Sequence, residues 1–308
     1  MAKVTLSFDS YNATGNREDL TDFITDISPL ETPAFSRWGN TRANGRYHEW
    51  QCDSLAVASS NVYVEGEAFA AVARTPTSRL NNSCQVMIKM FSITDTQNIV
   101  DKAGRNSESA YQMTKAAKEL KRDMEWSIMT TSGADAIISG ASGYVDVAPR
   151  LKGVYFWQFN VKTQTGISGQ ATAAAITEVE FNRDLLQNAW NNGAKINTVY
   201  VAGAHKRVIS GWGLATLRPR DTGLGKKLVN VVDFYVSDFG DLEIVLDRYV
   251  ASNIIYALDD NLWKKAFLVP VRWKEIGDTG LASNHMLWAQ WTLENRNPTG
   301  NAMCFSTG

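Results

Sequence analysis

The residues best able to do chemistry are three histidines, three cysteines and one basic, glycine-bearing loop. His48, His205 and His285 fall in three different segments, and Cys52, Cys84 and Cys304 are as widely spread. A structural zinc site needs four such donors at short spacings. Only His48 and Cys52 come near one another, and on a strand they sit in different turns of the pleat. Gly223-Leu224-Gly225-Lys226-Lys227 has a phosphate-loop look. That loop requires glycine where Arg220 stands and Ser or Thr where Lys227 stands. No G-x-G-x-x-G follows a strand, and no G-x-S-x-G elbow presents a serine. Carboxylates are plentiful, but a catalytic pair needs a cleft to define it. The expectation is therefore no catalytic residue, no metal site and no cofactor.

The elements that would position such residues say more. Ser107 to Thr131 carries Met113, Ala117, Leu120, Met124 and Ile128 at helical spacing, one apolar stripe along a long rod. Lys115, Lys118, Glu119, Lys121, Arg122, Asp123 and Glu125 fill the rest. Lys115–Glu119 and Lys121–Glu125 are opposite charges four apart, in the less favourable order. That charged face reads as a solvated face, as a meeting place for neighbouring subunits, or as a diluted basic patch.

The chain has 308 residues, enough for about two domains, with 44% hydrophobic and 20% charged residues. A net charge of -1 excludes a whole-chain basic field. Three scattered cysteines fit free thiols. The start MAKVTLSFDS has no apolar signal core, and no apolar run nears the ~20 residues of a membrane span. Ten tryptophans lean toward much buried contact surface.

Along the chain, residues 1–40 read as an arm. Leu20, Phe23, Ile24 and Ile27 suggest a short helix, and Pro29 and Pro33 forbid a long one after it. Residues 45–93 read as strands, with alternation at Tyr47–Gln51, Val62–Glu65 and Val86–Phe91 and a turn at Glu65-Gly66-Glu67. Such a two-stranded excursion is marginal alone and needs another surface. Thr94–Gln97 and Thr177–Glu180 are capping-box starts. The first opens a helical piece toward Gly104. The second opens a helix with Phe181, Leu185, Leu186 and Ala189 on one face, capped near Asn192-Gly193. Thr198–Ala202 is a buried strand and His205–Trp212 a short helix. Val231–Val236 and Leu242–Leu246 form a hairpin, and Asn253–Ala257 is a strand. Asp260-Asn261 caps a short helix through Trp263 and Ala266. Val269–Trp273, His285–Leu293 and Met303–Phe305 close the chain with strands.

This order of parts resembles the major capsid proteins of tailed double-stranded-DNA bacteriophages, the Hong Kong 97 fold. One branch is resembled more closely through Asp19–Gly39 (DLTDFITDISPLETPAFSRWG), Ser107–Met129 (SESAYQMTKAAKELKRDMEWSIM), Ala204–Trp212 (AHKRVISGW), Val231–Val250 (VVDFYVSDFGDLEIVLDRYV) and Asp259–Pro270 (DDNLWKKAFLVP). The resemblance implies an α+β fold with an N-terminal arm over 1–40 and an extended loop over 41–93. It implies a peripheral domain with a long spine helix over 94–175 and 271–308, and an α/β axial domain over 176–270. It implies a major capsid protein whose pentamers and hexamers form an icosahedral virion shell around double-stranded DNA, assembled in the host bacterial cytoplasm. Scaffolding protein, a portal at one vertex, a decoration or cement protein and non-specific contact with packaged DNA are the implied partners, with no membrane. A nanocompartment shell of the same fold and a soluble small-ligand enzyme are the alternatives.

Inter-subunit contacts are expected between Glu65, Glu67, Arg74 and Arg79 on the loop and Lys121, Arg122 and Asp123 on the spine helix. Arg218, Arg220, Lys226 and Lys227 are expected near the capsomer centre. The short arm suggests a separate scaffolding protein and little N-terminal trimming. In some relatives a loop lysine bonds covalently to a neighbour's asparagine. Thr41–Ile88 contains no lysine, and a guanidinium that stays protonated is no nucleophile, so non-covalent locking is expected.

Overall fold

The computed structural model describes residues 28–56, 58–68, 74–130, 148–159, 176–212, 233–278 and 280–305. Two sheets and one long helix organise them. The first sheet has four strands in the order β1-β9-β10-β4: β1 (Gly39–Arg42), β9 (Trp263–Ile276), β10 (Ala282–Asn295) and β4 (Gln85–Thr94). Its spine is the long β9–β10 hairpin, to which β4 adds antiparallel and β1 parallel. The register shifts near Gln290, opposite Val269, and Pro270 stands at this irregularity, where a missing N–H costs no ladder bond.

Helix α3 (Glu108–Met129) lies on that sheet. Ser107 caps it, accepting the N–H of Ala110. At 1.5 Å per residue its 22 residues reach about 33 Å. Ala116, Leu120, Met124 and Ile128 form the buried stripe, with Ala117 exposed, a one-residue correction to the expected face. Leu287, Ala289, Trp291 and Leu293 from β10 meet the stripe in the larger core. The preceding helix, α2 (Asp95–Ile99), is capped by Thr94 as expected. It stops short of Gly104, whose φ of 75° breaks any continuity with α3.

The second sheet has five strands, β11-β8-β5-β7-β6. These are β5 (Thr198–Val201), β6 (Phe234–Ser237), β7 (Gly240–Leu246), β8 (Ile254–Leu258) and β11 (Ala302–Phe305). Every residue of β5 and β8 is buried, because this sheet is covered on both faces. Tyr200, Tyr256 and Leu258 face the α3 core, while Val199, Val201, Ile255 and Ala257 face a second core. That second core is closed by Phe181, Leu185, Leu186 and Ala189 from α5, a helical rod over 178–191. The rod is α-helical at Glu178–Glu180 and Asn188–Asn191 and π-helical at Phe181–Gln187. Thr177 and Glu180 form the reciprocal capping box. Gly193 (φ 81°) closes the far end: its N–H bonds Trp190 O and that of Ala194 bonds Ala189 O. The helix Gly203–Trp212 contributes Ile209.

Three local expectations are corrected. Val62 and Val64 lie outside any strand; the two-stranded unit is β2 (Tyr47–Cys52) with β3 (Ser78–Ser83). Asp260–Leu262 is only a single 3-10 turn capped by Asp259, and Trp263–Ala266 belongs to β9, where pairing with β10 overrides local helical preference. Lys121 and Glu125 form no pair, because Glu125 points into the core and Lys121 donates to Ser36 Oγ at 3.0 Å. The expected helix at Leu20–Ile27 lies outside the described residues.

Candidate functional site

Residues 53–56, 58–68 and 74–77 are exposed and join neither core, and strands β2 and β3 form their root. His48, Trp50 and Cys52 share the inward face of β2. His48 Nε2 meets Glu294 Oε2 at 3.0 Å, Trp50 Nε1 donates to Asn295 O at 2.7 Å, and Cys52 Sγ donates to Arg296 O. Asn82, wholly inside, donates to Leu293 O and Lys152 O and accepts from Lys152 N. Burial alone would raise Glu294, but the bonds from His48 and Arg296 outweigh it and hold the carboxyl below its usual range. The root is therefore tied to β10 and the residues after it by hydrogen bonds, one of them to a carboxylate.

Beyond the root the side chains lose cover. Leu55 is 98% exposed, and Val62, Tyr63 and Val64 are 86%, 63% and 75% exposed. Gly66 (φ 83°) turns the chain there, with Glu67 N bonded to Val64 O at 3.0 Å, a type II arrangement. Four apolar side chains exposed to water are a hydrophobic cost that a second surface would remove.

The charged residues singled out from the sequence fall in two places. Glu65, Glu67, Arg74 and Arg79 are exposed on or beside the projecting segment. Glu67 Oε2 accepts Val64 N at 3.1 Å, and Arg79 meets Glu49 at 3.4 Å across the β2–β3 ladder. Lys121, Arg122 and Asp123 lie on α3, and Asp123 pairs with Lys89 of β4 at 2.6 Å. Arg218, Arg220, Lys226 and Lys227 lie outside the described residues. Among the described residues no group of three His, Cys, Asp or Glu is placed to hold a metal. A groove beside α2 and α3 is lined by Phe91, Thr94, Gln97, Glu108 and Gln112. Its one carboxylate, Glu108, is paired with Arg105 at 2.6 Å.

The sequence reading missed the root of the arm. Pro33 opens α1 (Pro33–Arg37), the position where a proline's missing N–H is harmless. The next two N–H groups, of Ala34 and Phe35, donate to Glu125 at 2.8 and 2.7 Å. Arg37 forms a two-pronged pair with Glu243, and Trp38 stacks on Trp263 at 5.1 Å while donating to Asp260. The signal lay in the Pro-x-x-x-x-Trp stretch, but its hydrogen-bond partners are 90 to 222 residues away in sequence.

This architecture recurs in solved shells. A chain of the cyanophage A-1(L) capsid superposes with a TM-score of 0.68 at 13% identity, over 97% of this chain and 98% of that one. A capsid chain of a native GTA particle gives 0.67 at 10% identity, over 97% and 98%. A long helix braced on a hairpin-built sheet and a doubly covered second sheet define a Hong Kong 97-type fold. The chain belongs to the family described as SU10 major capsid protein, whose model matches residues 6–307. It is 23% identical to the major capsid protein of Escherichia phage Phieco32, over 99% of this chain and 98% of that protein. It is accordingly a major capsid protein, which self-assembles into an icosahedral shell.

Proposed function

We propose that the projecting segment is the clasp between subunits, lying across the next copy within hexamers and pentamers of a shell around double-stranded DNA. The supporting observation is the uncovered Leu55, Val62, Tyr63 and Val64 beyond a root held by the His48–Glu294 and Trp50–Asn295 bonds. Glu65, Glu67, Arg74 and Arg79 of one copy meet Lys121, Arg122 and Asp123 of its neighbour. Each exposed pair adds little alone, but the pattern repeats at every copy. In this reading 1–40 is the arm and 41–93 the extended loop. Residues 94–175 with 271–308 make the peripheral domain, and 176–270 the axial domain, whose Arg218, Arg220, Lys226 and Lys227 approach the capsomer centre. Scaffolding protein, portal and a decoration or cement protein act with it, in the host bacterial cytoplasm.

Negative-stain microscopy of the purified chain, alone and with its scaffolding protein, tests the reading. Capsomers, shells or tubes are expected from the native chain. The triple change Val62→Ser, Tyr63→Ser, Val64→Ser should leave a folded subunit that no longer assembles. Normal shells from that variant would exclude the segment as the clasp.

A further inference from the structure

Leu287, Ala289 and Trp291 turn one face of the first sheet into the α3 core, and the opposite face is open. On β4 its side chains are Val86, Ile88 and Met90, which are 40%, 47% and 65% exposed. On β10 they are Met286, Trp288 and Gln290, each half-buried. The ladder sets them in rows, with Met90 beside Met286, Ile88 beside Trp288 and Val86 beside Gln290. From the first row to the last is about 14 Å along the strands. A contiguous apolar patch of this kind marks a surface that another part covers.

The charge on this face selects the partner. On β9, Arg272 stands beside Trp288 and Lys274 beside Met286, and both cations are exposed. Neither has an acidic partner among the described residues. Glu275, between Lys274 and Ile276, pairs in register with the inward His285 and so belongs to the α3 side. The fitting partner is therefore apolar along one side and acidic along its flank. A DNA duplex would satisfy the two cations but leave Ile88, Met90 and Trp288 against hydrated phosphates.

Residues 17–27, outside the described residues, carry that pattern in sequence. Leu20, Phe23, Ile24 and Ile27 recur at helical spacing, and Glu18, Asp19, Asp22 and Asp26 flank them with Arg17 as the one cation. A helix rises about 10 Å from Leu20 to Ile27, within the length of the patch. The described chain begins on the wrong side to reach its own patch. Phe35 of α1 packs on Phe267 and Trp291 at the α3 side, and Glu31 pairs with Arg248 past β7 at 3.2 Å. We propose that the open face seats residues 17–27 of a neighbouring copy in the shell, with apolar side chains on Ile88, Met90 and Trp288 and carboxylates toward Arg272 and Lys274. This seat is separate from the clasp and does not depend on it.

Photo-cross-linking of the assembled full chain tests this. The photoreactive residue p-benzoylphenylalanine is placed at Met90 and, in a second preparation, at Ile88. Particles are built from mixed heavy- and light-isotope copies, and mass spectrometry identifies what the face captures. Cross-links to residues 17–27 that join heavy to light copies are expected. Arg272→Glu with Lys274→Glu should cut their yield by about tenfold, and adding Asp22→Lys with Asp26→Lys should restore it. The native-charge map decides the matter even where a charge-reversed chain does not fold. Cross-links confined to one copy, to another segment or to another protein, no cross-link at all, or a yield indifferent to charge reversal would overturn the proposal.

Discussion

Glu294 shows how one side chain sets the behaviour of a larger part. It receives His48 from β2 and Arg296 from its own chain end, and these bonds outweigh its burial. A carboxyl held below its unfolded value stabilises the fold above that value and loses the contribution as pH falls through its lowered value. Replacing His48 with Ala removes one donor, so Glu294 should rise and acid unfolding should begin at higher pH. Circular dichroism across an acid titration would show it; an unmoved midpoint would mean that Arg296 alone holds the carboxylate.

At the level of elements, α3 carries the larger core. Leu120, Met124 and Ile128 each stabilise by about 1.5–3 kcal/mol through burial. Leu120→Asp would put an unpaired charge into that core, and insoluble protein is the expected result of expression. Lys115→Ala, on the solvent side, should change stability by under about 1 kcal/mol in a denaturant melt. Soluble, normally folded Leu120→Asp protein would reassign the buried face. Long periodic elements such as α3 and α5 were legible because their apolar spacing and caps are local. Trp263–Ala266 was not, since only pairing with β10 makes it a strand. Glu125 was not either, since its amide donors come from α1, a whole domain away in sequence. The projecting segment was read as strand from its Val-Tyr-Val alternation, yet β pairing begins only at its root. The paucity of core residues there was legible, and Leu55 and Val62 are exposed.

For the whole molecule, the arm root and the two sheets form one body. Arg37 reaches Glu243 of β7, Trp38 reaches Trp263 of β9, and Tyr200 bridges both through Asp260. Thr41–Ile88 offers no lysine amine for a covalent bond to a neighbour, so this segment is expected to be locked without one. Mature particles boiled in detergent and reductant should run as one band near 34.1 kDa. A ladder of higher oligomers surviving that treatment would show a covalent lock from elsewhere in the chain.

The placement of β10 bears on how the protein is made. It lies between β9 and β4, so the strand formed from residues 85–94 has no ladder partner until residues 282–295 exist. β11, residues 302–305, completes the second sheet later still. A chain still on the ribosome therefore holds α3 and its apolar stripe without the surface that covers them, a state open to aggregation. Any premature stop before residue 282 would leave that stripe uncovered, and such fragments should be captured by chaperones or degraded. A copy lacking residues 282–305 is therefore expected to stay out of any shell, which co-expression of a chain stopped at residue 281 with the full chain would check by gel analysis of purified particles.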